Sequence, residues 1–324
     1  MERKTCSGPQ KDEARAGAPK GYTVSKAGGK GLGAFALQPF RRGELILVET
    51  PPVKISASSN IDDLTLLRTA FQKLSPDKQQ QLLSLHNAHV GVGTGFPSDP
   101  WLGIFATNSA WLGEYIVTCI HASRFNHSCS PNTKWTWDNA TETVRIFALR
   151  DIAPAEEIFV SYLGNIREFR STRETRRETL QTRFRFNCNC EVCSLPGPKA
   201  IRSDQRRTEI TRLHDSLSSA PLPTRDRLII AKRMISLFRE EGYAGEAADC
   251  ATVAAKMCLH HSDWASAIYW ARKAFKIAVD ENGVDSELAA ETLALWKNPK
   301  LHPEAGQGPR QMFTDVRLEG GEAR

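Results

Sequence analysis

The sequence predicts a mainly β unit of short strands, interrupted by a helical insertion, closed by a metal-binding loop and followed by an all-α C-terminal domain. Three observations predict it. Short apolar runs between Gly and Pro punctuation fill Tyr22 to Pro52 and return at TVRIFALRDI and EEIFVSYLG. Apolar residues recur at helical spacing after Asn60 and again from Arg225 to Asn298. Three cysteines crowd into CNCEVC, as Cys188, Cys190 and Cys193.

Taken in order, residues 1–20 are charged and glycine-rich with almost no large apolar side chain, and read as a disordered tail. In the β unit, 21–163, ELILVE is a buried-strand candidate, and the preceding GGKGLG is a turn that lets backbone approach a ligand closely. The insertion occupies about 60–114. Leu64, Leu67, Phe71 and Leu74 follow a candidate cap at Asn60, and Ser75 with Pro76 opens a second helix carrying Leu82, Leu83 and Leu85. Helical character continues loosely through WLGIFATNSAWLGE to Glu114. The region 164–195 begins with REFRSTRETRRETLQTRFRF, a solvated helix with acid and base neighbours such as Glu174 and Glu178, and ends in the cysteine loop. After the break at LPGPKA, residues 200–300 are helical with alanine-rich faces suited to antiparallel packing, and 303–324 is loose again.

Structural zinc takes four tetrahedral ligands, and four thiolates are a common closed set. CNCEVC supplies three. Cys129, in the segment RFNHSCSPNTKW, is the candidate fourth, with Cys119 as its competitor. Disulfides are not expected, because the N-terminal residues lack the apolar core of a secretory signal and no stretch approaches the ~20 apolar residues of a spanning helix. An intracellular protein with reduced thiols is the expectation. The formal charge of +6 over 324 residues is mild. Direct nucleic-acid binding is not expected from it, since Glu174 and Glu178 dilute the arginine-rich segment.

Four signals stand in one order: GKGLGAFA, NHSCSPN, EEIFVSYL and FNCNCEVC. In that order they resemble the SET-domain protein lysine methyltransferases, over roughly Gly21 to Leu195, with the last signal matching the family's post-SET zinc loop. The insertion and helical tail are similar to the SET-and-MYND branch. Residues 50–110 contain no cysteine, however, and so cannot hold a MYND finger. A fungal-type SET protein is the nearest description.

The resemblance implies a SET fold with a knot-like C-terminal thread, and methyl transfer from S-adenosylmethionine to the ε-amine of a protein lysine, histone or non-histone. Tyr162 matches the tyrosine that orients amine and methyl. Lys30, Gly31, Leu32 and Gly33 match the turn at the methionine part of the cofactor, with Lys30 toward its carboxylate. Asn126 and His127 match the pair that holds its ammonium and adenine. Phe186 matches an aromatic cover for the adenine, and Phe184 stands where relatives often carry a tyrosine lining the lysine channel. One structural zinc would be held by Cys129, Cys188, Cys190 and Cys193. The expected protein is a monomer of nucleus or cytoplasm with a lysine-containing protein substrate and no membrane association. The alternative is a catalytically weak SET-fold adaptor that recruits partners through its helical C-terminal domain.

Overall fold

The computed structural model describes residues 21–59, 64–90, 99–164, 166–219, 224–243 and 246–316. The N-terminal tail and the candidate cap Asn60 lie outside the described residues. Two strands, β1 (Tyr22–Lys26) and β2 (Leu32–Ala36), form the first hairpin around GGKG; β3 (Leu45–Glu49) and β4 (Val53–Ser56) follow. The insertion then folds as α1 (Leu64–Gln72), α2 (Pro76–Leu83) and α3 (Pro100–Asn108). Both later helices start as their chemistry dictates, with Pro at the first turn and a side-chain cap, Ser75 accepting from Lys78 N and Asp99 from Trp101 N. Trp101 anchors the insertion's own core, stacked on Phe71 at 4.8 Å and donating its indole N–H to Leu67 O at 3.0 Å.

The insertion differs from the sequence expectation at its end. Ser109–Leu112 is not helical but strand β5, paired antiparallel with β6 (Tyr115–Thr118). The apolar run through Trp111 suits either state, and the turn decides: Gly113, at φ 59°, closes a two-residue hairpin. β6 also pairs with β4, so the helical insertion hangs from a three-stranded sheet ordered β4-β6-β5.

The chain continues through β7 (Asn126–His127), β8 (Thr133–Asp138), β9 (Thr143–Ala148) and β10 (Glu157–Val160). One three-stranded sheet is ordered β3-β9-β8 and a four-stranded sheet β1-β2-β10-β7. β10 is the pivotal strand, threaded between β2, antiparallel, and β7, parallel, with Phe159 opposite Asn126 and Val160 opposite His127. This places VSY beside NHSC, two motifs far apart in the chain. Two buried side chains fix it. Asn132 accepts from Phe159 N at 2.6 Å and donates to Glu157 O at 2.9 Å. Glu49 accepts from the backbone N–H of Ile120, His121 and Ala122, which orders the loop entering β7.

Past β10 come α4 (Ile166–Phe169), α5 (Arg173–Phe184), the cysteine loop, and α6 (Gly197–Ser219), α7 (Thr224–Glu240), α8 (Ala247–His260), α9 (Trp264–Asn282) and α10 (Glu287–Lys297). Alanines at 247, 248, 251, 254, 255, 267, 271, 274 and 278 are buried, and let α8 and α9 approach closely around Trp270. The segment after Pro303 has little regular structure, yet Phe313 is fully buried and its N–H donates to Asp263. None of the described helices is long and apolar enough to cross a membrane.

Replacing Asn132 by Ala leaves Phe159 N and Glu157 O unpaired in a buried place. We expect a loss of about 2–4 kcal/mol in unfolding free energy, measured by urea denaturation.

Candidate active site and metal centre

The four cysteines named from sequence meet at one point. The sulfurs of Cys129, Cys188, Cys190 and Cys193 all lie within 4.8 Å of one another, with Cys129 Sγ 3.6 Å from Cys193 Sγ and 4.0 Å from Cys188 Sγ. Four thiols brought this close, three of them buried, form a donor set that fits one tetrahedral metal ion. Cys119 is buried instead in the sheet core among Val117, Phe125 and Val160, so the fourth position belongs to Cys129. Hydrogen bonds among the thiols pull Cys190 well down and Cys193 down to about 7, while Cys129 and Cys188 are held up. A bound metal would take all four as thiolates.

β7 delivers His127 into the gap between this cluster and VSY. Its Nδ1 accepts from Tyr162 N at 2.9 Å, and its Nε2 lies 3.2 Å from Cys129 Sγ. The backbone donor fixes the tautomer, leaving the proton on Nε2 to point at the sulfur. Burial pushes the imidazole down to about 4, so it is neutral. His127 is therefore a strut between a cysteine and the tyrosine backbone, not a fifth ligand.

Tyr162 donates its hydroxyl to Phe125 O at 2.9 Å. Burial, with Glu157 nearby, pushes its phenol well above the ordinary tyrosine range, so it stays protonated. Aromatic side chains from α5 and the cysteine loop wall it in. The Phe184 ring is 5.1 Å away, and Phe186 lies edge-on at 6.4 Å and 6.2 Å from His127. Residues widely separated in sequence, Tyr162, His127, Phe184 and Phe186, thus share one enclosure beside the cysteine cluster.

The glycine turn lies on the other side of β10. Gly31 has φ 78° and ψ −123°, a backbone state that essentially only glycine adopts, and nothing stands within 4 Å of where a Cβ would be. At Gly33 the opposite holds, since an added Cβ would lie 2.7 Å from Asn126 Nδ2, 2.7 Å from Glu157 Oε1 and 2.9 Å from Ala27 Cβ. Lys30 Nζ binds Glu157 at 2.5 Å and sits 4.6 Å from the Phe159 ring centroid, while Asn126 Nδ2 donates to Glu157 at 2.8 Å and to Leu32 O at 3.0 Å. Open space at Gly31 beside paired cationic and anionic groups fits the zwitterionic end of an amino-acid cofactor. Glu157, within EEIFVSYL, joins this group through the β2–β10 register, which sets it opposite Phe35 and within reach of Lys30, a placement that no local sequence pattern states.

Residues 31–163 match the SET domain family. Over these residues the chain is similar to the SET-domain lysine methyltransferases. It is 28% identical over 285 residues to the "Histone-lysine N-methyltransferase set5" of Schizosaccharomyces pombe, covering 87% of this chain and 85% of that protein. It is 40% identical over 68 residues to the mouse "Protein-lysine N-trimethyltransferase SMYD5", covering 21% of this chain and only 16% of that protein. Among solved structures, the SET domain of LSMT bound to lysine and AdoHcy aligns over 86% of this chain and 87% of that one, with 13% identity and a TM-score of 0.31. The matched residues include the β7–β10 junction with His127 and Tyr162.

The four-thiol geometry predicts about one zinc per purified chain. Cys129→Ser should lower the zinc content below half of the wild-type value, read by plasma mass spectrometry; full zinc retention in that variant would refute the ligand set.

Proposed function

We propose that the chain transfers a methyl group from S-adenosylmethionine to the ε-amine of a lysine in a histone, in the nucleus. The observation that carries this reading is the convergence of Tyr162, His127, Phe184 and Phe186 at the β7–β10 junction of a SET domain. The named activity of the Schizosaccharomyces pombe relative, which aligns over most of both chains, supports the histone substrate.

When bound, the cofactor supplies a methyl group made electrophilic by a sulfonium. Everything else falls to the chain. Asn126, Lys30 and the Gly31–Gly33 turn would hold the cofactor's amino-acid end, Leu32 lying between the glycines, and Phe186 with the backbone of His127 its adenine. A lysine amine is mostly protonated in water, with a reference pKa of about 10.4, and only its neutral form has a lone pair to donate. The aromatic enclosure lowers that pKa by desolvation. Tyr162 contributes orientation. Its proton is spent on Phe125 O, so the oxygen's lone pairs are left to accept a hydrogen bond from the incoming amine. Phe184 and Phe186 offer no hydroxyl, so of these three aromatic side chains Tyr162 supplies the polar atom.

Tyr162→Phe should reduce methyl transfer to histones by about 100-fold, assayed with labelled S-adenosylmethionine, while zinc content and melting temperature stay near wild type. An unchanged rate would remove Tyr162 from the reaction. Gly33→Ala should weaken S-adenosylhomocysteine binding at least about tenfold by calorimetry, because the methyl would push Asn126 and Glu157 out of place.

A further inference from the structure

The arginine-rich segment is a helix solvated on one face, with Arg176 and Leu180 buried on the other. Arg176, on α5, is 0% exposed. Its Nη1 donates to Ser171 O and lies 3.6 Å from the Asp204 carboxylate, while its Nε and Nη2 have no hydrogen-bond partner among the described residues. The thiols of Cys129 and Cys193 act on this guanidinium electrostatically, as does Asp204, and Arg207 stands close enough to repel it. Arg207, on α6, is also 0% exposed. Its three nitrogens are all committed: Nε to Glu241 at 2.7 Å, Nη1 to Phe169 O at 2.8 Å and Nη2 to Cys129 O at 2.9 Å, with the guanidinium 4.3 Å from the Phe169 ring. Arg177 spans the cysteine loop, donating to Cys188 O and Cys193 O at 2.9 Å each.

Burying an arginine without its charge answered is costly. A dication held by four thiolates carries two net negative charges, and it too must be answered inside the protein. Asp204 and Glu241 account for only part of the surrounding positive charge, since Arg206 also binds Glu241, at 2.6 Å. Four guanidiniums, those of Arg176, Arg177, Arg206 and Arg207, stand around Asp204, Glu241 and the doubly negative site, with Glu240 at the margin 3.9 Å from Arg206.

We propose that Arg176 and Arg207 are positioning residues of the metal site, a buried cationic collar that balances the charge of the loaded cluster and retains its ion. Through Arg207, the helical region becomes part of that site. The inference rests on the reading of the four cysteines as a zinc centre. Arg207 fixes the Cys129 carbonyl, and Arg177 the carbonyls of the loop, so the ligands are held from the backbone as well as by charge.

The test is zinc release from the full chain to an excess of a chromogenic chelator, with folding checked by circular dichroism. Arg176→Met and Arg207→Met should each release zinc about 10- to 100-fold faster than wild type. Arg176→Lys, which keeps the charge, should stay within about threefold of it. Where a methionine variant does not fold, the lysine variants of both positions decide: release more than about tenfold faster than wild type overturns the role of charge. Stable zinc in the wild type with unchanged release from the methionine variants overturns the collar alone. A wild type that binds no zinc overturns the metal centre and the collar together.

Discussion

The insertion of β10 between β2 and β7 is the constraint on which the site depends. Parallel pairing of Phe159 and Val160 with Asn126 and His127 sets NHSC beside VSY, and antiparallel pairing of Ile158 with Ala34 sets both beside the glycine turn. A one-residue slip would turn every side chain of the strand to its other face. Asn132 guards against that slip by clamping both Phe159 N and Glu157 O. Tyr162, the glycine turn and the cysteine cluster are therefore indexed to one four-residue strand.

His127 carries that index onward to the cysteines. It takes a hydrogen bond from the Tyr162 backbone on one nitrogen and gives one toward Cys129 on the other. Burial keeps it neutral, which preserves the donor–acceptor polarity of the strut. The position of the tyrosine ring and the position of the fourth sulfur are thus set by a single imidazole.

Much of this was legible in the sequence, for identifiable reasons. CNCEVC with a distant NHSC specifies a four-thiol site because cysteine side chains are short and a CxCxxC loop can direct its three sulfurs to one point, as the sulfurs within 4.8 Å now do. Ser75–Pro76 marked a helix start because cap chemistry is local. Strand β5 was not legible, since the apolar run around Trp111 fits a helix as well and only its pairing with β6 decides. Nor was the burial of Arg176 and Arg207. Arginine is usually exposed, and the i,i+4 pattern of α5 gives no sign that one face meets a set of thiolates brought from elsewhere in the chain. The role of Glu157 depended on strand register, which no local pattern states.

The helical region touches the SET core at more than the cysteine cluster. Lys134 of β8 reaches the buried Glu281, Arg42 pairs with Asp280, Arg145 with Asp285 and Asn139 with Glu287, all across the same seam between the sheet and α9–α10. A boundary drawn near residue 196, natural for a reader of the sequence, would cut this seam along its length and strip Arg207 from Cys129. Modular in sequence, the two regions are joined in the fold by these ion pairs and hydrogen bonds. A fragment trimmed to the SET domain and its cysteine loop would keep Tyr162, His127 and the four cysteines and lose the Arg207 contact to the Cys129 carbonyl.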